Sequence, residues 1–161
     1  MEKGIVYLIG ADHIIQHKGC LTPAKDIAIA QFQQHVREQV DWLGIGTLAE
    51  EFSSDAVRLN GVSASTVEEV AVEQGLQHLF CDPGIAERQR LGIGLGTNSS
   101  IEREAYWLEQ LEPFRTVAVL FVCGDNHVYS FSQKLSSAGF TVQVLSTGWG
   151  RELNPIRTNN R

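Results

Sequence analysis

TVAVLFVCGDNH, at residues 116–127, is the stretch that decides the predicted fold. Its first eight residues are apolar or β-branched, without the polar alternation that marks a strand exposed on one face. Such a run is typical of a central strand in a parallel sheet, because that strand is covered on both faces. A glycine and further polar residues follow, so the chain is expected to turn there and enter a helix over about residues 127–137.

The same succession of short apolar runs and helical patterns extends over the rest of the chain. Further strands are predicted at residues 5–9, 45–49, 76–81 and 140–145. Helices are predicted at residues 23–43, 53–59, 65–74 and 100–111. Residues 83–99 are expected to be irregular. This order predicts a single α/β domain over residues 1–149, with a mostly parallel central sheet of about five strands and helices on both faces. A polar C-terminal tail is expected at residues 150–161.

The composition excludes several functional classes. The chain has 161 residues and a formal net charge of −6. It therefore lacks the clustered Lys and Arg residues that neutralise nucleic-acid phosphates. No apolar stretch is long enough to span a membrane, and the N-terminal residues carry no signal-peptide pattern. We expect no nucleic acid and no membrane among its partners.

The cysteines indicate a reducing compartment. There are three, Cys20, Cys81 and Cys123, at wide spacing and without a Cys-x-x-Cys pair. This spacing excludes a disulfide framework and a zinc ribbon, so each cysteine is expected to pack as a small apolar residue. A cytoplasmic location is therefore predicted.

Polar side chains follow the predicted strands at the points where the strands end. The motif Gly-x-x-His occurs at residues 10–13 and again at residues 124–127, each time after an apolar run. Because the carboxyl ends of parallel strands meet at one edge of a sheet, the two histidines should lie close together. Carboxylates from the same and other strand ends are expected at this edge, namely Asp12, Glu50, Glu51, Asp82 and Asp125.

This set of groups suits two kinds of chemistry. Two imidazoles and a carboxylate form a ligand set for a divalent metal ion with open positions. The same groups can instead act as general acid and base without a metal. Glu50 and Glu51 point to opposite faces if both are extended, so only one of them is expected to face the site. Alternatively, both carboxylates stabilise the N-terminus of the helix that follows them.

The paired Gly-x-x-His motifs resemble those of a known superfamily. It groups the TraB/PrgY pheromone-shutdown proteins, the Tiki proteases, the erythromycin esterases and the ChaN haem-binding proteins. Its members carry one motif after the first strand and one after a late apolar strand, with a Glu at a strand end and an Arg in the helix between them. The matching residues here are His13, His127, Glu50 or Glu51, and Arg103 in IEREAYW. The chain resembles a minimal-length member with an erythromycin-esterase/ChaN-like fold.

The resemblance implies hydrolysis of a peptide, ester or related bond, in some members with a divalent metal ion (Mn, Zn or Co). His13, His127 and Glu50 would bind the metal, with Glu51 as general base. Arg103 would stabilise the developing oxyanion or hold a substrate carboxylate. Contacts with a small-molecule or peptide substrate are expected from Arg88, Asp12, Asp125 and Asn126.

Two further expectations concern binding and assembly. The ChaN branch implies an alternative function, a non-catalytic protein that binds haem, a metal ion or a small metabolite. A homo-oligomer is expected because an exposed sheet edge needs a cover. The segment at residues 83–99 is expected to act as a lid over the site, since Gly84, Gly92, Gly94 and Gly96 make it pliable.

Overall fold

A five-stranded parallel sheet forms the centre of the computed structural model. The structure describes residues 3–18, 21–94 and 100–154. The strands are β1 (Ile5–Ala11), β2 (Thr47–Glu50), β3 (Gln77–Phe80), β4 (Ala118–Gly124) and β5 (Thr141–Trp149). Their order in the sheet is β3-β2-β4-β1-β5, and every neighbouring pair is parallel.

Helices cover both faces of this sheet. They are α1 (His13–His17), α2 (Pro23–Leu43), α3 (Ser54–Leu59), α4 (Thr66–Gln74), α5 (Ile85–Leu91), α6 (Ser100–Leu111) and α7 (Asp125–Ser137). Apolar residues of α1, α2 and α4 pack on one face, and those of α6 and α7 pack on the other. The predicted α/β class, with its central parallel sheet and two helical layers, is confirmed.

The strand β4 lies between β2 and β1, in the middle of the sheet. Its residues from Val119 to Cys123 are at most 1% exposed, which explains why their sequence shows no polar alternation. The chain leaves β1 toward one face through α1 and α2, and leaves β4 toward the other face through α7. The two neighbouring strands therefore open a crevice at their carboxyl ends, the usual place for a ligand in such sheets.

Side-chain caps define the ends of the predicted helices. The Thr22 hydroxyl accepts a hydrogen bond from the Lys25 amide, and Gly44 ends the same helix with a φ of 64°. Ser65 and Glu68 form a capping box at the start of α4. Each of these caps lies at an end of a helix that the sequence predicts.

Two short helices lie in segments for which no helix was predicted. The helix α1 begins immediately after Asp12, whose Oδ1 accepts the Ile14 amide at 3.1 Å. The helix α5 has no buried residue, so it leaves no apolar periodicity in the sequence. Both helices are also too short for a pattern of repeated apolar steps to be detected.

The C-terminal part differs from the prediction as well. The last strand continues to Trp149 because its parallel pairing with β1 resumes after two register shifts. The following 3-10 helix, Arg151–Leu153, packs Leu153 against the core, so residues 150–154 belong to the domain instead of a loose tail. Residues 155–161 lie outside the described residues, as do Gly96 of the expected lid and Cys20.

The other two cysteines are buried in the apolar layers, as expected. Burial is the main cause that raises the pKa of the Cys81 and Cys123 thiols, so neither is a reactive thiolate. Among the described residues, no helix has the length and apolar content needed to cross a membrane.

Candidate functional site

The two Gly-x-x-His turns lie side by side at the carboxyl ends of β1 and β4. Gly10 is in register with Cys123, and Ala11 is in register with Gly124. The histidines that follow, His13 and His127, begin α1 and occupy the first turn of α7. The sheet topology therefore places the two motifs next to each other, as the sequence predicts.

The glycine of each turn makes room for side chains at the site. A Cβ atom at Gly124 would lie 3.3 Å from His13 Nε2 and 2.9 Å from Asn126 Oδ1. A Cβ atom at Gly10 would overlap the Asp125 carboxylate. Any larger residue at either position would push apart the two turns that carry the histidines.

Glu51 is the carboxylate that both histidines face. Its Oε2 lies 3.8 Å from His13 Nε2 and 3.6 Å from His127 Nε2. The same oxygen accepts a hydrogen bond from Arg103 Nη2 at 2.5 Å. Its other oxygen, Oε1, accepts the Gly124 amide at 2.7 Å. The Glu51 side chain is 1% exposed, so these four groups surround a carboxylate that water barely reaches.

His127 is held in one orientation by a second buried carboxylate, Glu104. His127 Nδ1 lies 2.8 Å from Glu104 Oε1, which also accepts the Ser130 hydroxyl at 2.6 Å. An ionised carboxylate only accepts hydrogen bonds, so the proton of the neutral imidazole lies on Nδ1. The His127 Nε2 lone pair is thereby directed toward Glu51. The Trp107 ring packs edge-on against the same imidazole.

Glu104 was not among the predicted site residues, although the sequence contains a signal for it. It shares the buried face of α6 with Trp107 and Leu111, at spacings of three and seven residues. A carboxylate at a core position of an amphipathic helix is buried only when it is paired. A search for charges on apolar helix faces would have found it.

Arg103 links Glu51 to Asp82, the carboxylate that follows β3. Its Nε donates to Asp82 Oδ1 at 2.8 Å, and the Trp107 indole donates to the same oxygen at 2.9 Å. Burial acts to lower the pKa of Arg103, but the charges and hydrogen bonds of Asp82 and Glu51 outweigh it, so the pKa is raised. Arg103 therefore remains a cation that neutralises two carboxylates.

Arg88, predicted to contact substrate, also binds Asp82. Its Nη2 donates to Asp82 Oδ2 at 2.9 Å, and its Nε donates to the Pro83 carbonyl at 3.1 Å. Through this residue α5 is attached to the edge of the site. Asp82 thus connects two arginines with Trp107.

Glu50 belongs to a different cluster from Glu51. It is fully buried, and its oxygens accept hydrogen bonds from Gln16 Nε2 at 3.2 Å and from the Ser65 hydroxyl. The imidazole Nε2 of His78 lies 2.8 Å from Glu50 Oε1. The two adjacent glutamates point to opposite sides of the sheet, and it is Glu51 that meets the histidines. The predicted ligand set of His13, His127 and Glu50 is therefore not assembled in this structure.

His13 is the most accessible member of the site. Its side chain is 46% exposed, against 3% for His127. His13 Nδ1 lies 3.3 Å from Gln16 Oε1, which leaves Nε2 facing Glu51. A substrate arriving from solvent would contact His13 first.

His17 follows on the next turn and packs beside His13. The two rings are 5.2 Å apart, and His17 stacks on Phe52 at 4.4 Å. Burial, followed by the proximity of His13, lowers the pKa of His17 to about 4. His17 is therefore neutral near pH 7 and forms part of the apolar wall of the site.

Asp12, Asp125 and Asn126 lie beside the histidines as predicted, but the aspartates bind the C-terminal segment. Asp12 Oδ2 accepts a hydrogen bond from the Asn154 side chain at 3.0 Å. Asp125 accepts the Gly148 amide at 2.8 Å and Arg151 Nη2 at 3.0 Å. These contacts stabilise the two turns, so a substrate contact from either aspartate remains a prediction.

The described residues do not fit a divalent metal ion. Within residues 3–18, 21–94 and 100–154, no group of three or more His, Cys, Asp or Glu side chains is arranged to hold one. Both oxygens of Glu51 already accept hydrogen bonds, one from the Arg103 guanidinium. A divalent cation at this position would face the positive charge of Arg103.

Comparison with known proteins adds no relative: no protein-family model, no curated protein and no solved structure matches this chain. The resemblance to the superfamily of esterases, proteases and haem-binding proteins therefore stays a prediction.

Proposed function

We propose that the protein is a hydrolase of ester, peptide or related bonds that uses its paired histidines as general acid and base. One observation carries the proposal: both Gly-x-x-His imidazoles direct Nε2 toward the same carboxylate oxygen, Glu51 Oε2. Two imidazoles and a buried, charge-compensated carboxylate form a compact system for moving protons. The resemblance to the esterase and protease superfamily favours the same reaction type.

In the proposed reaction, His127 activates the attacking water. Glu104 behind Nδ1 stabilises the imidazolium that forms when Nε2 takes a proton from water, as the aspartate of a catalytic triad does. The water oxygen forms a bond to the substrate carbonyl carbon, and the bond to the leaving alkoxide or amine breaks. His13, at the solvent side, supplies a proton to that leaving group.

Glu51 completes the proton balance of this reaction. Its Oε2 lies between the two Nε2 atoms, so the proton taken up at His127 can pass through it to His13 Nε2, which then donates it to the leaving group. The distances of 3.6 and 3.8 Å are longer than hydrogen bonds, as is common before substrate tightens a site. Arg103 offsets the charge of Glu51 and keeps it in place.

Hydrolysis of a panel of p-nitrophenyl esters and short peptides tests the proposal. His13→Ala and His127→Ala are each expected to reduce kcat by about 10²–10⁴-fold, since general acid–base catalysis contributes that much. His35→Ala serves as the matched control, because His35 contacts Ser146 and Trp149 instead of Glu51. Wild-type turnover in both site variants would contradict the proposal.

Two further measurements separate the alternatives of metal dependence and simple binding. Dialysis against a chelator is expected to leave turnover unchanged, whereas loss of turnover with recovery on adding Mn²⁺, Zn²⁺ or Co²⁺ would indicate a metalloenzyme. Titration with haemin is expected to give no shifted Soret band. A shifted band that disappears in His13→Ala, without any turnover, would favour the haem-binding alternative.

We also propose a cytoplasmic location and a homo-oligomer. The buried free thiols of Cys81 and Cys123 favour a reducing compartment.

In the described part of the chain β5 is an edge strand of nine residues, TVQVLSTGW, without a charged residue or a proline. Such an edge is a template for pairing with another strand. Light scattering is expected to give a multiple of 17.8 kDa for the wild type and a smaller particle for Val144→Lys.

A further inference from the structure

A network of hydrogen-bonded side chains lies behind His13, and it begins at the buried carboxylate of Glu50. Ser65 Oγ accepts the Glu68 amide at 3.0 Å, so its hydroxyl proton is available for Glu50. His78 Nε2 and Gln16 Nε2 also lie within hydrogen-bond distance of this carboxylate. In its ionised form this carboxylate only accepts hydrogen bonds, and all three neighbours then act as donors.

This requirement determines which way the Gln16 amide points. Its NH₂ group must face Glu50, because the opposite orientation would place two acceptors against each other. The Gln16 oxygen is then the atom 3.3 Å from His13 Nδ1. Gln16 is fully buried, so water does not offer its amide another arrangement.

We propose that Gln16 is a positioning residue that sets the tautomer of His13, with Glu50 as the anchor of its amide. An amide oxygen opposite Nδ1 requires the imidazole proton on Nδ1. His13 Nε2 then carries the lone pair that faces Glu51 and the site. Glu50 acts on His13 only through Gln16.

The two histidines of the site thus have the same tautomer but different supports. Glu104, a carboxylate, lies behind His127, whereas Gln16, a neutral amide, lies behind His13. A carboxylate stabilises an imidazolium more strongly than an amide does. In terms of the proposed hydrolysis, on which this assignment of roles rests, His127 is the better proton acceptor, and His13 is the better proton donor once its Nε2 has received the proton through Glu51.

Long-range ¹H–¹⁵N correlation spectra of histidine-labelled protein at pH 8 test the tautomer directly. In the wild type, His13 is expected to show a protonated Nδ1 and a bare Nε2. Gln16→Leu removes the acceptor, so the Nε2–H tautomer is expected to become the major form. Gln33→Leu is the matched control, because Gln33 also donates to a carboxylate, Glu69, and contacts no histidine in the described structure. Glu50→Gln is expected to give a mixture of tautomers, because the Gln16 amide then loses its single orientation.

A His13 proton on Nε2 in the wild-type protein would overturn the proposal without any variant. An unchanged tautomer in folded Gln16→Leu would overturn it as well. If the protein hydrolyses the ester panel, Gln16→Leu is expected to lower kcat by about 10–100-fold with KM nearly unchanged. If His13 carries its proton on Nδ1 but the protein hydrolyses no substrate of the panel, the proposed hydrolase function is contradicted and the role of Gln16 remains.

Discussion

Three buried carboxylates with different partners organise the candidate site at the scale of single residues. Glu51 faces the two histidines and Arg103, and Glu104 supports His127. Glu50 lies on the other side of the sheet and reaches His13 only through Gln16. Burial of a carboxylate is costly unless donors or cations surround it, so each of the three has a complete set of partners.

Replacing Glu104 by Gln tests the support of His127. The amide can turn its NH₂ toward Nδ1, which moves the imidazole proton to Nε2 and removes the base. We expect kcat for the hydrolysed ester to fall by about 10²–10⁴-fold while the circular dichroism spectrum stays that of the wild type. Glu109→Gln, on the exposed face of the same helix, should retain full turnover. Equal rates in the two variants would contradict this role of Glu104.

The lowered pKa of His17 predicts that the stability of the protein depends on pH. Its folded pKa of about 4 lies below the ordinary histidine value of 6.5, so the unfolded chain binds more protons between these two pH values. The wild type should therefore lose stability as the pH falls from 6.5 toward 4, by at most about 3 kcal/mol from this group. His17→Phe keeps the stacking on Phe52 and removes the titration. Urea unfolding at pH 7.5 and pH 4.5 measures the free energy of unfolding of both proteins. At the lower pH, the variant should have gained stability relative to the wild type. A constant difference would show that His17 does not titrate in this way.

The helix α4 shows, at the scale of elements, how one residue can serve both a helix end and the site. Ser65 accepts the Glu68 amide as the N-cap and donates its hydroxyl to Glu50. Its position therefore couples the start of the helix to the carboxylate behind Gln16. The exposed N-cap of α2, Thr22, has only the first of these two roles in the described contacts.

This difference predicts unequal effects of removing the two caps. Thr22→Ala should lower the free energy of unfolding by about 1 kcal/mol, the usual effect of a lost cap. Ser65→Ala should lower it by about 2–4 kcal/mol, because a buried carboxylate also loses a donor. Urea denaturation of both variants measures the two values, and equal losses would mean that the Ser65–Glu50 contact adds nothing.

At the scale of the whole molecule, the segment after β5 packs against the two turns that carry the histidines. The C-terminal segment after β5 places Asn154 on Asp12 and Arg151 on Asp125, next to each histidine turn. The Asp12 amide also donates to the Trp149 carbonyl at 2.7 Å. The first and last parts of the described chain therefore jointly hold the turns that carry His13 and His127.

Removing these side-chain contacts should affect the site as well as the fold. For the double variant Arg151→Ala/Asn154→Ala, we expect kcat to fall by about 10-fold because misplaced catalytic groups lose rate steeply. The free energy of unfolding should fall by about 1–3 kcal/mol, because the largely buried carboxylates of Asp12 and Asp125 each lose a donor. Arg58→Ala removes an exposed pair with Asp55 and is the control that should leave kcat unchanged. A double variant with the turnover of that control would exclude a role for the C-terminal segment in positioning the histidines.

Much of the architecture could be predicted because its signals are local. The apolar run of β4 and the caps at Thr22 and Ser65 depend on residues close in sequence, and the structure has the strands and helices they indicate. The helices α1 and α5 were missed because one is a single turn and the other buries no residue. Neither leaves the apolar period on which sequence prediction depends.

The sequence by itself determined the parallel sheet and the meeting of two histidines at its edge, because every strand end of such a sheet points the same way. Only the tertiary structure decided which of two adjacent glutamates meets them, since that choice depends on the face toward which the chain turns after β2. The supports of the histidines, Glu104 and Gln16, come from α6 and α1, which pack on opposite faces of the sheet. The helix pattern indicates that Glu104 is buried, but its contact with His127, 23 residues away, arises only from the packing of α6 against α7. Gln16 lies three residues from His13 on the same helix, but its amide is oriented by Glu50, 34 residues away, so packing decides its role as well.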